Sequence, residues 1–124
     1  MKVQSFNELE VYQLAFELQQ LIFEQSKKFP KEETYSLTDQ IRRSSRSIGA
    51  NIAEAWRKRR YPAHFVSKLT DSDGENAETQ HWINTASACG YIDSLLKEDF
   101  LAKSAQIGAK LGRMIADPEK WQPR

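Results

Sequence analysis

Arginines at helical spacing form the most informative pattern in this sequence. With successive helical residues placed about 100° apart, four of them fall within roughly 60° of one another: Arg42, Arg46, Arg57 and Arg60. Guanidinium groups at such spacing could contact successive phosphates, in binding that is mostly directed to the nucleic-acid backbone and sensitive to salt. A solvated helix face whose charges pair with acids elsewhere has the same pattern, so both interpretations stay open.

Two further cations and several aromatic residues accompany these arginines. Trp56, Tyr61 and His64 could stack on bases, or could simply pack as aromatic side chains. The predicted nucleic-acid-binding residues, called the basic stripe below, are Arg42, Arg46, Arg57, Lys58, Arg59 and Arg60.

A second polar stripe runs along the same helix, between its apolar face and its basic face. A helix that only covers a core needs one apolar and one solvated face, so the extra stripe indicates a partner. We expect a polar seam between helices or between subunits, with no catalytic role. The residues of this polar seam are Gln40, Arg43, Ser47, Asn51, Glu54, Glu75 and Glu78. A charged pair there would specify register and partner more than it would add stability.

The remaining candidates for catalysis or metal binding are weak. Glu78 and His81 have the Glu-x-x-His spacing of di-iron bundles, but the sequence has no second such motif. Cys89 has no catalytic signature around it and is expected to be a small core residue. Glycine-rich phosphate loops, serine-nucleophile motifs and zinc spacings do not occur. The sequence therefore predicts a protein that is not an enzyme, with no catalytic residue, cofactor or metal.

Four amphipathic helices are predicted to position these residues, at approximately 7–28, 36–60, 62–89 and 97–116. Phe29-Pro30, Tyr61-Pro62 and Gly90 mark the breaks between them, and alternating strand-like runs are absent. Short connections favour neighbouring helices that run antiparallel. The predicted fold is all-α, an up-and-down four-helix bundle in a single domain over residues 1–124.

The third predicted helix is unusual because its inward face is partly polar. Between Phe65 and Ile83 that face passes through Ser72, Asn76, Thr79 and Gln80. Burying such a group without a hydrogen-bond partner costs about 1–3 kcal/mol. The expected partners lie on the second helix: Ser44, Ser45, Ser47 and Asn51.

Composition limits the classes of protein and ligand. The chain has 124 residues, 28% of them charged, and a formal net charge of +1. Nucleic-acid binding would therefore depend on how the charge is distributed. A single cysteine excludes a disulfide within one chain and suits a reducing compartment. We expect a cytoplasmic protein with no membrane partner, because the sequence has no signal-peptide core and no run near the ~20 apolar residues of a membrane span.

The segment from Gln40 to Glu54 resembles the signature of a known family. Its Gln40-Ile41-Arg42-Arg43, Ser47-Ile48 and Asn51-Ile52-Ala53-Glu54 groups are similar to those of the 23S rRNA intervening-sequence proteins. Flanking segments extend the likeness over nearly the whole chain: Phe6-Asn7-Glu8-Leu9, Phe29-Pro30, Tyr35-Ser36-Leu37, Glu78-Thr79-Gln80 and Gly90-Tyr91-Ile92. Ala55 departs from the glycine of many members, and Asp71-Ser72-Asp73-Gly74 replaces a more apolar stretch of small residues.

This resemblance implies a four-helix bundle that assembles as a closed ring, with a homopentamer preferred. Many members are encoded within insertions in large-subunit ribosomal RNA genes. The family is also similar to the accessory variability protein of diversity-generating retroelements, a pentameric ring whose basic surface engages nucleic acid and a reverse transcriptase. The resemblance thus implies RNA or DNA as a ligand, with RNA preferred, and a protein partner such as a reverse transcriptase.

Two functional hypotheses follow from the sequence. In the first, a non-enzymatic oligomer binds nucleic acid through the basic stripe. In the second, the protein is a protein–protein scaffold with no nucleic-acid ligand, and acids of a neighbour occupy the stripe. Guanidinium groups within hydrogen-bond distance of Asp71, Glu75 or Glu78 would favour the scaffold.

Overall fold

The computed structural model describes residues 3–123, and they form a bundle of four α-helices in one domain. The helices are α1 (Glu10–Ser26), α2 (Asp39–Arg57), α3 (Pro62–Ala88) and α4 (Ser94–Ala116). Within residues 3–123 there is no β-strand, and no helix has the length and apolar character needed to cross a bilayer. The predicted all-α, four-helix, single-domain fold is confirmed.

Neighbouring helices run antiparallel, as contacts between their side chains show. The end of α1 meets the start of α2 where Arg42 Nε donates to Ser26 Oγ, and α2 and α3 meet where Lys68 pairs with Glu54. Lys110 near the end of α4 pairs with Glu10 at the start of α1. The bundle therefore closes, with α1 packed against both α2 and α4.

Six of the eight helix ends differ from the sequence prediction by one to three residues, and two of these differences have clear local reasons. Helix α2 ends at Arg57, since the Lys58 amide donates to the Ala55 carbonyl and tightens the last turn. Helix α4 begins at Ser94, because the Asp93 carboxylate accepts from the Leu96 amide and caps the first turn. Three of the six stripe cations thus lie beyond the helix on which the prediction placed them.

The apolar faces meet in one core, and α2 supplies several of its most buried side chains. Ile41, Ile48, Ile52 and Ala55 of α2 are buried, as the helical periodicity predicted. Cys89 was predicted to be a core residue, and this prediction is wrong. It follows the last residue of α3 and is exposed, because the chain turns there through Gly90 at a φ of +80°.

The polar inward face of α3 is confirmed, but only part of it bonds to the predicted partners. Thr79 Oγ1 donates to Ser44 Oγ at 2.9 Å, and Ser72 Oγ donates to the Ile48 carbonyl at 2.8 Å. Asn76 instead bonds to helix α4. Asn76 Oδ1 accepts a hydrogen bond from Ser104 Oγ at 2.8 Å, and Asn76 Nδ2 donates one to the Ser104 carbonyl at 3.0 Å.

Gln80 completes this network, since its Nε2 donates to Ser104 Oγ at 2.7 Å. The expected α2 partners Ser45 and Asn51 bond within their own helix, to the carbonyls of Arg42 and Ser47 respectively. The buried polar layer therefore joins α3 to two helices, where the sequence predicted only one.

At one end of the bundle, a tyrosine ties together the two connections between helices. Tyr91 Oη donates to Glu33 Oε2 at 2.8 Å, and the Tyr91 and Phe29 ring centroids lie 5.6 Å apart. The hydrogen bond to Glu33, reinforced by desolvation and by the carboxylate charge, raises the pKa of Tyr91 to about 12.

This tie predicts a pH effect. A phenol whose pKa is raised in the folded state stabilises the fold below its unfolded pKa of about 10 and loses that contribution as pH rises towards the folded value. Tyrosinate absorbance in an alkaline titration should show a late-ionising component near pH 12. Tyr91→Phe should remove it, whereas Tyr35→Phe, at an 80% exposed position, should retain it. A late component that survives in Tyr91→Phe would contradict the assignment.

Candidate nucleic-acid interface

The first part of the basic stripe lies in the groove between α1 and α2. The guanidinium carbons of Arg42 and Arg46 are 4.8 Å and 5.4 Å from the centroid of the Phe23 ring. Arg42 also donates from Nε to Ser26 Oγ at 2.7 Å, which orients the group and leaves its two terminal nitrogens available. The ring and the hydroxyl of α1 thus position two guanidinium groups side by side, and α1 is a contributor that the helical spacing of α2 did not indicate.

The second part of the stripe lies in the connection after α2. Arg57 is the last residue of the helix, and Lys58, Arg59 and Arg60 follow in a tight turn. Arg46 and Arg57 are eleven residues apart, a separation of about 16 Å along a helix with 1.5 Å rise per residue. The basic stripe therefore consists of two clusters, one on the side of α2 and one at its C-terminal end.

In the second cluster, the guanidinium of Arg59 stacks on an indole ring. Its central carbon is 3.7 Å from the Trp56 ring centroid, and burial lowers the pKa of Arg59. The helix ends before Arg59, so this side chain folds back over Trp56 and does not extend the helical face. Arg57, Lys58 and Arg60 remain exposed around it.

No carboxylate pairs with the basic stripe within the described chain. In residues 3–123, none of the six cations lies within 4.0 Å of an Asp or Glu oxygen. Two acids of α3 pair with cations outside the stripe, Glu78 with Arg43 and Asp71 with Lys68. Within one chain, the stripe is thus a surface of uncompensated positive charge.

The polar seam lies mainly between α2 and α3 of a single chain. Arg43 Nη2 is 3.5 Å from Glu78 Oε2, and Glu54 Oε1 is 3.5 Å from Lys68 Nζ. Asn51 Nδ2 donates to the Ser47 carbonyl of its own helix at 2.9 Å. Gln40 and Ser47 are half-buried on the same side of α2. One member of each pair is half-buried and the other is exposed, and such solvent-accessible pairs contribute little stability each.

The sequence prediction of the seam missed Lys68, which bridges Glu54 to Asp71 Oδ2 at 3.7 Å. A signal was present, because Lys68 is the only Lys or Arg in a helix otherwise rich in acids. Glu75 is part of the seam as well, and its Oε1 is buried without a hydrogen-bond partner among residues 3–123.

The Glu78 and His81 side chains do not form a metal site in this arrangement. Glu78 Oε2 accepts from Trp82 Nε1 at 3.1 Å and pairs with Arg43, while His81 is exposed beside the Trp82 ring. Among the described residues, no three His, Cys, Asp or Glu side chains gather as metal ligands.

The fold and this surface define a helical-bundle protein with an arginine-rich edge along and beyond its second helix. The chain belongs to the 23S rRNA-intervening sequence protein family, whose model matches residues 7–113. The match includes α1, α2 and α3 in full and most of α4. There is no significant match among curated proteins.

A solved structure from Bacteroides thetaiotaomicron is similar to this chain. It is a protein of unknown function from the S23 ribosomal protein family, determined at 1.70 Å resolution. The two share 30% sequence identity and superpose with a TM-score of 0.76. The likeness covers 85% of this chain and 97% of the other, so it extends over the whole bundle of the relative.

Proposed function

We propose that this protein is a non-enzymatic nucleic-acid-binding protein, with RNA as the preferred ligand, and that the basic stripe makes the phosphate contacts. One observation carries the proposal: six cations on one edge have no acid partner within residues 3–123. Clustered cations attract a polyanion, because phosphate contact releases condensed counterions from the nucleic acid. Of the acids named for the scaffold hypothesis, Asp71 and Glu78 are paired with Lys68 and Arg43, which lie outside the stripe, and Glu75 forms no ion pair among residues 3–123.

Removing the first cluster tests this proposal. Arg42→Ala/Arg46→Ala should weaken binding of a structured RNA about tenfold or more and lower the steepness of the salt dependence by about one for each lost phosphate contact. Fluorescence anisotropy with a labelled RNA hairpin at several salt concentrations measures both effects.

A matched double variant controls for the loss of two charges. Lys31→Ala/Arg113→Ala removes two exposed cations outside the stripe and should leave RNA binding nearly unchanged. Thermal unfolding and light scattering establish that both double variants retain their fold and oligomeric state. Equal RNA affinity of the two double variants would contradict the role of the stripe. No binding by the wild type would instead favour the protein–protein scaffold, with a partner such as a reverse transcriptase.

We further propose that the protein assembles into a closed homo-oligomer, preferably a pentamer, and that the polar seam contributes to the contacts between copies. The support is Glu75, whose Oε1 is buried with no donor among the described residues. A buried carboxylate oxygen without a donor is costly, and a donor from a neighbouring copy, reached by rotation of the Glu75 side chain, would relieve this cost. A ring would also repeat the basic stripe in every subunit and concentrate its charge.

Charge reversal in the seam tests the assembly. The wild type should sediment as a pentamer, and Glu75→Lys should shift it towards smaller species, because it replaces a carboxylate that is buried without a donor by a cation. Glu98→Lys makes the same change at an exposed position of α4 and should leave the assembly intact. Analytical ultracentrifugation over a range of concentrations separates these outcomes. A monomeric wild type would contradict the proposal.

A further inference from the structure

A cavity of about 550 Å³ opens at the C-terminal end of α2. Three guanidinium groups and three aromatic rings supply most of its lining: Arg57, Arg59, Arg60, Phe6, Trp56 and Tyr61. Its volume lies within the roughly 300–1,000 Å³ of sites for small molecules. The terminal segment supports this arrangement, since Gln122 Nε2 donates to the Arg60 carbonyl at 3.3 Å and the Trp121 ring lies 6.4 Å from that of Trp56.

The charge of this cavity is entirely positive. No Asp or Glu is among the residues that line it. A second cavity of about 570 Å³ shows the contrast, because Glu8, Glu10 and Asp117 line it together with lysine and arginine. Only the first cavity therefore has the electrostatics of an anion site.

Arg59 gives this cavity a partly desolvated cation. Its guanidinium lies on the Trp56 ring and is partly buried, which lowers its pKa, and no carboxylate among residues 3–123 compensates it. Removing a cation from water without an opposite charge is unfavourable, so an anion that enters the cavity gains more there than at an exposed arginine.

An exposed ring stands at the rim of the same cavity. Tyr61 is 56% exposed, although it is large and apolar over most of its surface. The His64 ring lies beside it, with the two centroids 5.6 Å apart, and more than half of the Tyr61 surface is open to solvent. An open aromatic face beside cations is the arrangement on which unpaired bases stack.

We propose that this cavity binds the phosphate monoester of a nucleotide, with the guanidinium groups of Arg57, Arg59 and Arg60 on the phosphate and Tyr61 against the base. The monoester carries up to two negative charges, which suits three guanidinium groups better than the single charge of an internal phosphodiester. This inference rests on the proposed function, because it gives the second cluster of the basic stripe a specific ligand, the phosphorylated end of an RNA strand.

Two ligands present this chemistry, a free mononucleotide and the phosphorylated end of an RNA strand. Isothermal titration calorimetry with adenosine 5′-monophosphate and with adenosine tests the cavity alone. The monophosphate should bind at least about tenfold more tightly, the effect of one strong charge-assisted contact. Arg57→Ala/Arg60→Ala, at two exposed positions that do not support the core, should abolish this difference. Lys31→Ala/Arg113→Ala should preserve it.

A pair of RNA hexanucleotides, one with a 5′-phosphate and one with a 5′-hydroxyl, tests the strand end. The phosphorylated strand should bind about tenfold more tightly to the wild type and equally to Arg57→Ala/Arg60→Ala. Equal binding of the two strands, or of the monophosphate and adenosine, would overturn the inference.

If structured RNA binds and the 5′-phosphate has no effect, only the inference about the cavity fails. If the monophosphate binds and structured RNA does not, only the RNA-binding function of the stripe fails.

Discussion

Replacing Asn76 with alanine is expected to lower the free energy of unfolding by about 2–4 kcal/mol. The Asn76 side chain is 2% exposed and makes two hydrogen bonds to Ser104 of α4, through Nδ2 at 3.0 Å and Oδ1 at 2.8 Å. Alanine removes both bonds and leaves a space between α3 and α4. The remaining member, Gln80, then bonds to a serine hydroxyl that has lost its orienting partner.

The same helix offers a matched control for this prediction. Asn84 is exposed on α3, so Asn84→Ala should change the stability by no more than about 0.5 kcal/mol. Chemical denaturation followed by circular dichroism measures both variants. A double-mutant cycle with Ser104→Ala should give a coupling energy of about 1–3 kcal/mol between the two positions. Additive effects of the two substitutions would show that the polar layer does not act as a network.

RNA affinity of the wild type is expected to fall by roughly 10²–10³-fold between 50 and 200 mM salt. The reason is counterion release, which gives a slope of log affinity against log salt of about −0.7 to −0.9 for each neutralised phosphate. With all six stripe cations of one subunit engaged, the expected slope is roughly −4 to −5. Filter binding with total RNA, followed by anisotropy with a defined hairpin, measures this dependence.

Removing the second cluster should reduce this slope by a predictable amount. Arg57→Ala/Lys58→Ala/Arg60→Ala should lower its steepness by about two to three, or about 0.7 to 0.9 for each lost phosphate contact. Light scattering at each salt concentration controls for dissociation of an oligomer, which would itself lower the affinity. An affinity that is independent of salt would contradict backbone-directed binding by the stripe. It would then favour recognition through uncharged contacts or a ligand other than nucleic acid.

Much of the fold could be predicted because helical periodicity is local. Ile41, Ile48 and Ile52 recur on one face of α2 and are each at most 2% exposed. Pro62 is the first residue of α3, and Gly90 adopts a positive φ in the turn that follows the helix. Each of these features depends on residues within a few positions of one another, so the order of the side chains was enough to predict them.

The partners of the polar side chains could not be predicted in the same way. Ser104 holds Asn76 and Gln80, yet in the sequence it is one serine among the apolar positions of α4, 28 and 24 residues from its partners. Which residues meet across two helices depends on axial register and rotation, which the pattern of one helix does not encode. The sequence therefore predicted that buried polar groups needed partners, while the packing of α3 against α4 selected those partners.

For the candidate site, the sequence by itself determined which cations are present and that Arg42 and Arg46 share a helix face. Only the tertiary structure decided that Arg42 and Arg46 lie against the Phe23 ring of α1. Helix α2 ends at Arg57, and Arg59 folds back over Trp56, which is itself packed near Trp121 close to the C-terminus. That ending is local, a hydrogen bond from the Lys58 amide to the Ala55 carbonyl, whereas the packing of Trp56 near Trp121 joins residues far apart in the chain. The cavity beside Tyr61 is a consequence of the same contacts.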